Sequence, residues 1–129
     1  MEAQNNKLRW GILATGSIAG SFAEGVLNSE TGQLVAVGSR SQESADKFAS
    51  QYGGIPNRHP NYQDLLDDSE VDAIYIATPH PMHKEWAVKA ANSGKHILCE
   101  KPIGINESEA KEIIAAAESN DVFLMEAYM

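Results

Sequence analysis

The sequence has one cysteine, few aromatic residues (7%) and few cations, with 10 Lys and Arg against 18 Asp and Glu for a net charge of −8. One thiol cannot close an internal disulfide, which excludes a disulfide-stapled scaffold. Cys99 lies in the apolar run Ile97-Leu98-Cys99 and is expected to be a reduced, packed core residue of a cytoplasmic protein. A nonspecific nucleic-acid face needs clustered Lys and Arg to displace counterions, and the acidic balance argues against one. No apolar stretch approaches the roughly 18 residues that cross a bilayer. The leader Met1 to Lys7 is polar, lacks the apolar region of a signal peptide, and is expected to be disordered. No membrane partner is expected. No spacing of His, Cys and carboxylates suggests a metal site, and there is no internal repeat or low-complexity linker.

What is present is an ordinary globular mixture, 43% hydrophobic and 22% charged. At 129 residues it is long enough for one domain with its own core. Apolar runs and helical stripes alternate along it. Leu8 to Leu13 reads as a buried strand. Ser17 to Leu27 reads as a helix with Ile18, Phe22 and Val26 on one face, and Leu34 to Val37 as a second strand. Ser41 is placed to cap a helix whose stripe is Ala45, Phe48, Ala49 and Tyr52, stopped by Gly53-Gly54. Two prolines in Ile55 to Pro60 restrict any strand there to a short edge. A short helix over Tyr62 to Leu66 precedes the continuous apolar strand Val71 to Ala77. A loop Thr78 to His83 leads into a helix ending at Asn92, and His96 to Cys99 forms the fifth strand. Asn106 and Glu109 have capping-box spacing before the stripe Ala110, Ile113, Ile114 and Ala117, and Val122 to Met125 is the sixth strand. Such alternation predicts an α/β, doubly wound parallel sheet in three layers, the Rossmann fold, with six strands in the order 3-2-1-4-5-6.

The first strand ends in Ala14-Thr15-Gly16-Ser17-Ile18-Ala19. It matches the second and third positions of the dinucleotide fingerprint G-x-G-x-x-G/A, with Ala14 in place of the first glycine. Alanine is harmless there at negative φ and strained at positive φ. Small residues at a strand-turn-helix also serve packing without any ligand, so this motif alone is weak. Position strengthens it, because ligands of open α/β sheets sit outside the carboxyl ends of strands where strand order reverses. The end of the second strand reads Gly38-Ser39-Arg40-Ser41. It lacks the Asp or Glu that accepts hydrogen bonds from the ribose of NAD, and it offers a guanidinium and two hydroxyls to a 2′-phosphate. NADP is therefore expected over NAD, although Arg40 would also suit a solvated helix start.

Three segments together resemble a known family: Trp10 to Gly16, Ile76-Ala77-Thr78-Pro79 with His83 following, and Gly94 to Pro102, which contains Glu100-Lys101-Pro102. They are similar to the N-terminal domain of the glucose-fructose oxidoreductase, inositol dehydrogenase and rhizopine catabolism (Gfo/Idh/MocA) family, from Trp10 to Met129. The resemblance implies an NAD(P)-binding domain of a hydride-transferring oxidoreductase of sugars or cyclic polyols. It implies that Lys101 assists proton transfer beside the nicotinamide, with Glu100 and Pro102 shaping its loop. It also implies that Thr78 and Pro79 run along the cofactor, with His80 and His83 near the nicotinamide side. His80, where many members carry Asn, together with Trp86 is more like the dihydrodiol dehydrogenase and xylose dehydrogenase branch.

Independently of the family, oxidising a carbinol needs a base for the hydroxyl proton, and a lysine whose pKa is lowered by burial or a neighbouring cation can serve. Lys101 could also be a solvated partner of Glu100, and His83, the second catalytic candidate, could equally cap its own helix or be solvated. His59 and His96 read as structural. Family members continue into a second, substrate-binding domain, so the chain is expected to be a truncated or engineered domain. It should bind cofactor, turn over poorly, and cover exposed apolar surface near Tyr128 and Met129 by forming a homodimer or higher oligomer. Two further readings remain open: a noncatalytic nucleotide-binding module, and a scaffold without ligand. Titration with NADPH separates the last from the others.

Overall fold

The computed structural model describes residues 7–101 and 106–127, His80 by its backbone alone. The leader 1–6, Pro102, Tyr128 and Met129 lie outside the described residues. Six strands form one parallel sheet: β1 (Leu8–Leu13), β2 (Gly32–Gly38), β3 (Asn57–His59), β4 (Ala73–Ile76), β5 (His96–Glu100) and β6 (Leu124–Ala127). Their order is β3-β2-β1-β4-β5-β6, as the alternating pattern predicts. The helices are α1 (Ser17–Leu27), α2 (Gln42–Gln51), α3 (Tyr62–Leu66), α4 (His83–Asn92) and α5 (Glu107–Ser119). A 3-10 turn, His80–Met82, leads into α4.

Apolar burial divides the helices between the two faces. Ala19, Ala23 and Val26 of α1 and Ala45, Phe48 and Ala49 of α2 pack with Ile12, Val37 and Tyr75 of the sheet. On the other face, Leu65 and Leu66 of α3, Ala87, Ala90 and Ala91 of α4, and Ile113 of α5 pack with Leu13, Ile74, Ile76, Ile97 and Cys99. The small α4 side chains let that helix lie close to its neighbours. Gly11 does the same for α3, since a Cβ there would stand 2.9 Å from the Leu65 Cδ1. Cys99 is fully buried, and burial, with Glu126 and Glu100 adding to it, pushes its thiol up to about 12. It is a packing residue, as expected.

Helix starts follow the sequence. Ser41 Oγ accepts from the Ser44 amide at 3.1 Å and Asn106 Oδ1 from the Glu109 amide at 3.0 Å. Asn61 caps α3 in the same way at 2.8 Å. Four strands differ from expectation in their bounds, and one helix in its stripe. β2 starts two residues early because Gly32 pairs with Leu8. β4 is shorter than Val71 to Ala77 because a side chain claims its start: the Lys95 ammonium donates to the Val71 and Asp68 carbonyls at 2.8 and 2.7 Å. β5 runs one residue further, to Glu100, which pairs with Ala127. β6 starts late because the Val122 amide is spent on the Ala117 carbonyl, closing α5 at 3.0 Å. Ile114 is 45% exposed, since the inward face of α5 runs through Ile113 and Ala117, four residues apart.

Burial lowers the Lys95 ammonium, while Asp68 and Asp72 pull the other way. Burial also raises the Asp68 carboxyl, but hydrogen bonds from His59, the Glu70 amide and Asn57 outweigh it and leave it below the usual range. His59 and His96 are structural: one meets Asp68 Oδ2 at 2.9 Å, and the other accepts from the Phe123 amide at 3.0 Å. Among the described residues no helix is long and apolar enough to cross a membrane.

Candidate dinucleotide site

The carboxyl ends of β2, β1, β4 and β5 border one cleft of about 930 Å³. It lies where the strand order reverses between β1 and β4, the position that open α/β sheets use for ligands. The β1–α1 turn forms its centre. Ala14 there has φ 93°, so the residue replacing the first fingerprint glycine sits in the region where a Cβ is strained. Its amide donates to the Gly38 carbonyl at 2.9 Å, and Thr15 Oγ1 meets Ser39 Oγ at 3.0 Å, so the end of β2 ties the turn down.

Gly16 caps α1 without any side-chain acceptor, which leaves first-turn N–H groups for a ligand. A Cβ on Gly16 would meet nothing within 4 Å. The folded chain therefore does not require glycine at this position. The open space in front of it suits a close approach by phosphate oxygens.

The β2 arm of the cleft carries Ser39, buried, followed by exposed Arg40 and Ser41. No carboxylate stands at the end of β2. Ser44 and Tyr62 complete this arm. Burial raises the Tyr62 phenol, and the Arg40 charge opposes it. The ring of Tyr62 rests edge-on against Trp86 at 5.2 Å.

The other arm holds Thr78 and Pro79 after β4, His83 at the start of α4, and Glu100 and Lys101 at the end of β5. His83 is 1% exposed and its Nε2 lies 2.8 Å from the Thr78 carbonyl, so that nitrogen carries the proton and donates. This bond closes the β4–α4 loop. Thr78 is 4% exposed and its hydroxyl has no hydrogen-bond partner among the described residues. A buried, unpaired hydroxyl costs about 1–3 kcal/mol, so one bordering a cleft fits a ligand that supplies the partner. Trp86 Nε1 is unpaired as well, but it does not border the cleft. Lys101 is exposed at the lip.

The structure thus gathers Ala14, Thr15, Gly16, Ile18, Ser39, Arg40, Thr78, Pro79, His83, Glu100 and Lys101 around one hollow. Ser17 opens α1 next to Gly16 but is not among the residues bordering the cleft, and the His80 side chain lies outside the description. Ser44, Tyr62, Ala77 and Met82 join without having been singled out. Tyr62 follows the carboxyl end of β3, the sheet position that should have flagged it. Ser44 lies three residues beyond the cap Ser41, a spacing legible as a second hydroxyl at the same helix start. Among the described residues no group of three or more His, Cys, Asp or Glu could hold a metal ion.

Comparison with known proteins agrees with this geometry. Residues 8–128 match the model of the Gfo/Idh/MocA oxidoreductase family, described as having an NAD-binding Rossmann fold. The chain is 43% identical over 122 residues to mouse trans-1,2-dihydrobenzene-1,2-diol dehydrogenase, covering 93% of this chain and 36% of that protein. It is 42% identical over 120 residues to the scyllo-inositol 2-dehydrogenase (NADP(+)) of Bacillus subtilis, with the same coverage of 93% and 36%. A 3-ketoreductase from Actinomadura kijaniata, solved with NADP and TDP-benzene, superposes with a TM-score of 0.89 at 30% identity, over 94% of this chain and 37% of that one. The chain thus spans little more than a third of the length of the relatives it matches.

Proposed function

The chain belongs to the Gfo/Idh/MocA oxidoreductase family, and from that premise we propose that it binds NADP(H) in this cleft, as the cofactor domain of an enzyme oxidising or reducing a sugar or cyclic polyol. The observation that carries the cofactor choice is the end of β2, where Arg40, Ser39 and Ser41 stand and no carboxylate does, with Ser44 beside them in the first turn of α2. A guanidinium binds a phosphate through two parallel N–H donors, whereas the ribose of NAD would find no anionic acceptor there. Phosphate oxygens at the centre would meet the uncapped start of α1 and the open face of Gly16.

When bound, the nicotinamide exchanges a hydride with substrate carbon. Lys101 Nζ, exposed at the lip beside Glu100, takes or returns the proton of the substrate hydroxyl in the same step. His83 holds the loop carrying Thr78, and the Thr78 hydroxyl gains its missing partner from the dinucleotide. A cytoplasmic location belongs to the same proposal, supported by the single, buried, reduced Cys99. So does self-association, supported by Phe123 and Met125, which are 80% and 66% exposed, and checked by sedimentation over a range of concentrations.

The test is titration of NADPH and NADH into the chain and its Arg40→Ala variant. NADPH is expected to bind more tightly, and the variant to lose about 10- to 100-fold for NADPH with little change for NADH. Equal losses for both would remove Arg40 from the phosphate role.

A further inference from the structure

We propose that Tyr75 is a positioning residue for this site: its hydroxyl holds the Glu100 carboxylate at the end of β5, and the other carboxylate oxygen accepts from a ribose hydroxyl of a bound dinucleotide. The inference rests on the proposed dinucleotide site and goes beyond it. Tyr75 pairs with Leu98 in the β4–β5 register, so Glu100, two residues on, projects from the same face of the sheet. A diagonal neighbour of this kind is within reach of a long aromatic side chain. The Tyr75 hydroxyl donates to Glu100 Oε2, and among the described residues no other hydrogen bond reaches that carboxylate.

The donor is fixed in place and in charge. Tyr75 is 2% exposed and its ring stacks on Phe22 of α1 at 4.1 Å, 13° from parallel. Phe22 is itself held edge-on by Trp10 at 5.0 Å. Burial first, and the Glu100 carboxylate second, push the phenol far above its ordinary range, so it always carries the proton it donates. The position of the acceptor is what needs holding. Glu100 borders the cleft on one side, and on the other a second hollow of about 280 Å³ lined by Phe22, Leu98 and Met125. Without the hydroxyl its side chain is free to swing into that hollow and away from the ligand.

The geometry also says which part of a ligand Glu100 meets. Arg40 follows β2 and Glu100 ends β5, with β1 and β4 between them. Three strand spacings, roughly 14 Å in all, separate them. A dinucleotide with its 2′-phosphate at Arg40 and its pyrophosphate at Gly16 therefore presents its nicotinamide ribose to Glu100. The adenosine half never reaches it.

Tyr75→Phe keeps the stacked ring and removes only the hydroxyl. NADPH and adenosine 2′,5′-bisphosphate, which lacks the nicotinamide half, are titrated into the chain and its variants by calorimetry. The expected result is a loss of about tenfold for NADPH in Tyr75→Phe with the bisphosphate unchanged. Glu100→Gln shows the same split, and the double variant loses no more than Glu100→Gln alone, because Tyr75 acts through Glu100. NADPH affinity in Tyr75→Phe within twofold of the parent overturns the proposal. So do equal losses for both ligands or additive losses in the double variant, the marks of a merely structural role. Should Tyr75→Phe fail to fold, Glu100→Gln decides: losing NADPH while keeping the bisphosphate supports the role of Glu100, and losing neither overturns it. Failure of NADPH to bind the unmodified chain overturns the dinucleotide site itself, and this inference with it.

Discussion

At the scale of single residues, Ala14 and Gly16 show the two demands on one turn diverging. Ala14 takes a positive φ that the folded backbone imposes, at a cost of about 1–2 kcal/mol for a residue with a Cβ. Ala14→Gly removes that strain and adds about 0.5–1 kcal/mol of backbone entropy loss on folding. The net expectation is a more stable chain, with a thermal midpoint about 2–4 °C higher in a differential scanning experiment. A lower midpoint would mean that the turn is not strained. Gly16 is the converse case, with φ −75° and open space where a Cβ would go. Gly16→Ala should leave the midpoint within about 1–2 °C, since the poorer N-cap and the lower entropy of the unfolded chain offset each other, while NADPH affinity falls at least tenfold. The fingerprint was legible in the sequence as a pattern with one mismatch. The sign of φ at the mismatch was not, because it follows from how β2 ties the turn down through Gly38 and Ser39.

At the scale of elements, the strands and helices were legible wherever local chemistry decides them, as at the caps Ser41 and Asn106 and the apolar runs of β1 and β5. The start of β4 was not, because a side chain 24 residues further on decides it. Lys95 is 7% exposed, and its two carbonyl bonds pin the α3–β4 connection beneath the sheet. Lys95→Ala leaves the Asp68 and Val71 carbonyls without that donor. The expected loss is about 2–3 kcal/mol, seen as a lower urea midpoint at unchanged slope. A loss below about 0.5 kcal/mol would show that water replaces the ammonium without penalty. The same non-local logic explains the unforeseen members of the site. Tyr62 and Ser44 reach the cleft only because α3 and α2 dock on opposite faces of the sheet, a fact about packing rather than spacing.

At the scale of the whole molecule, the cleft is bordered by residues following four adjacent strands, and the protein groups that face it are incompletely paired without a ligand. Among the described residues the start of α1 has no side-chain cap and Thr78 Oγ1 has no partner, and Arg40 and Lys101 are exposed cations at its two ends. A dinucleotide that pairs these groups binds the folded chain and finds no such arrangement in the unfolded one, so its binding must raise the unfolding free energy. At a free concentration of 100 times its dissociation constant the gain is about 2.7 kcal/mol. For a domain of this size that corresponds to a rise of roughly 8–15 °C in the thermal midpoint. NADH at the same concentration should produce a much smaller rise, and Arg40→Ala should bring the NADPH shift down to that of NADH. Because every strand from β2 to β5 contributes to the rim, the gain should appear as slowed amide exchange across all four strand ends. Protection confined to α1 would mean that only the phosphate turn is engaged.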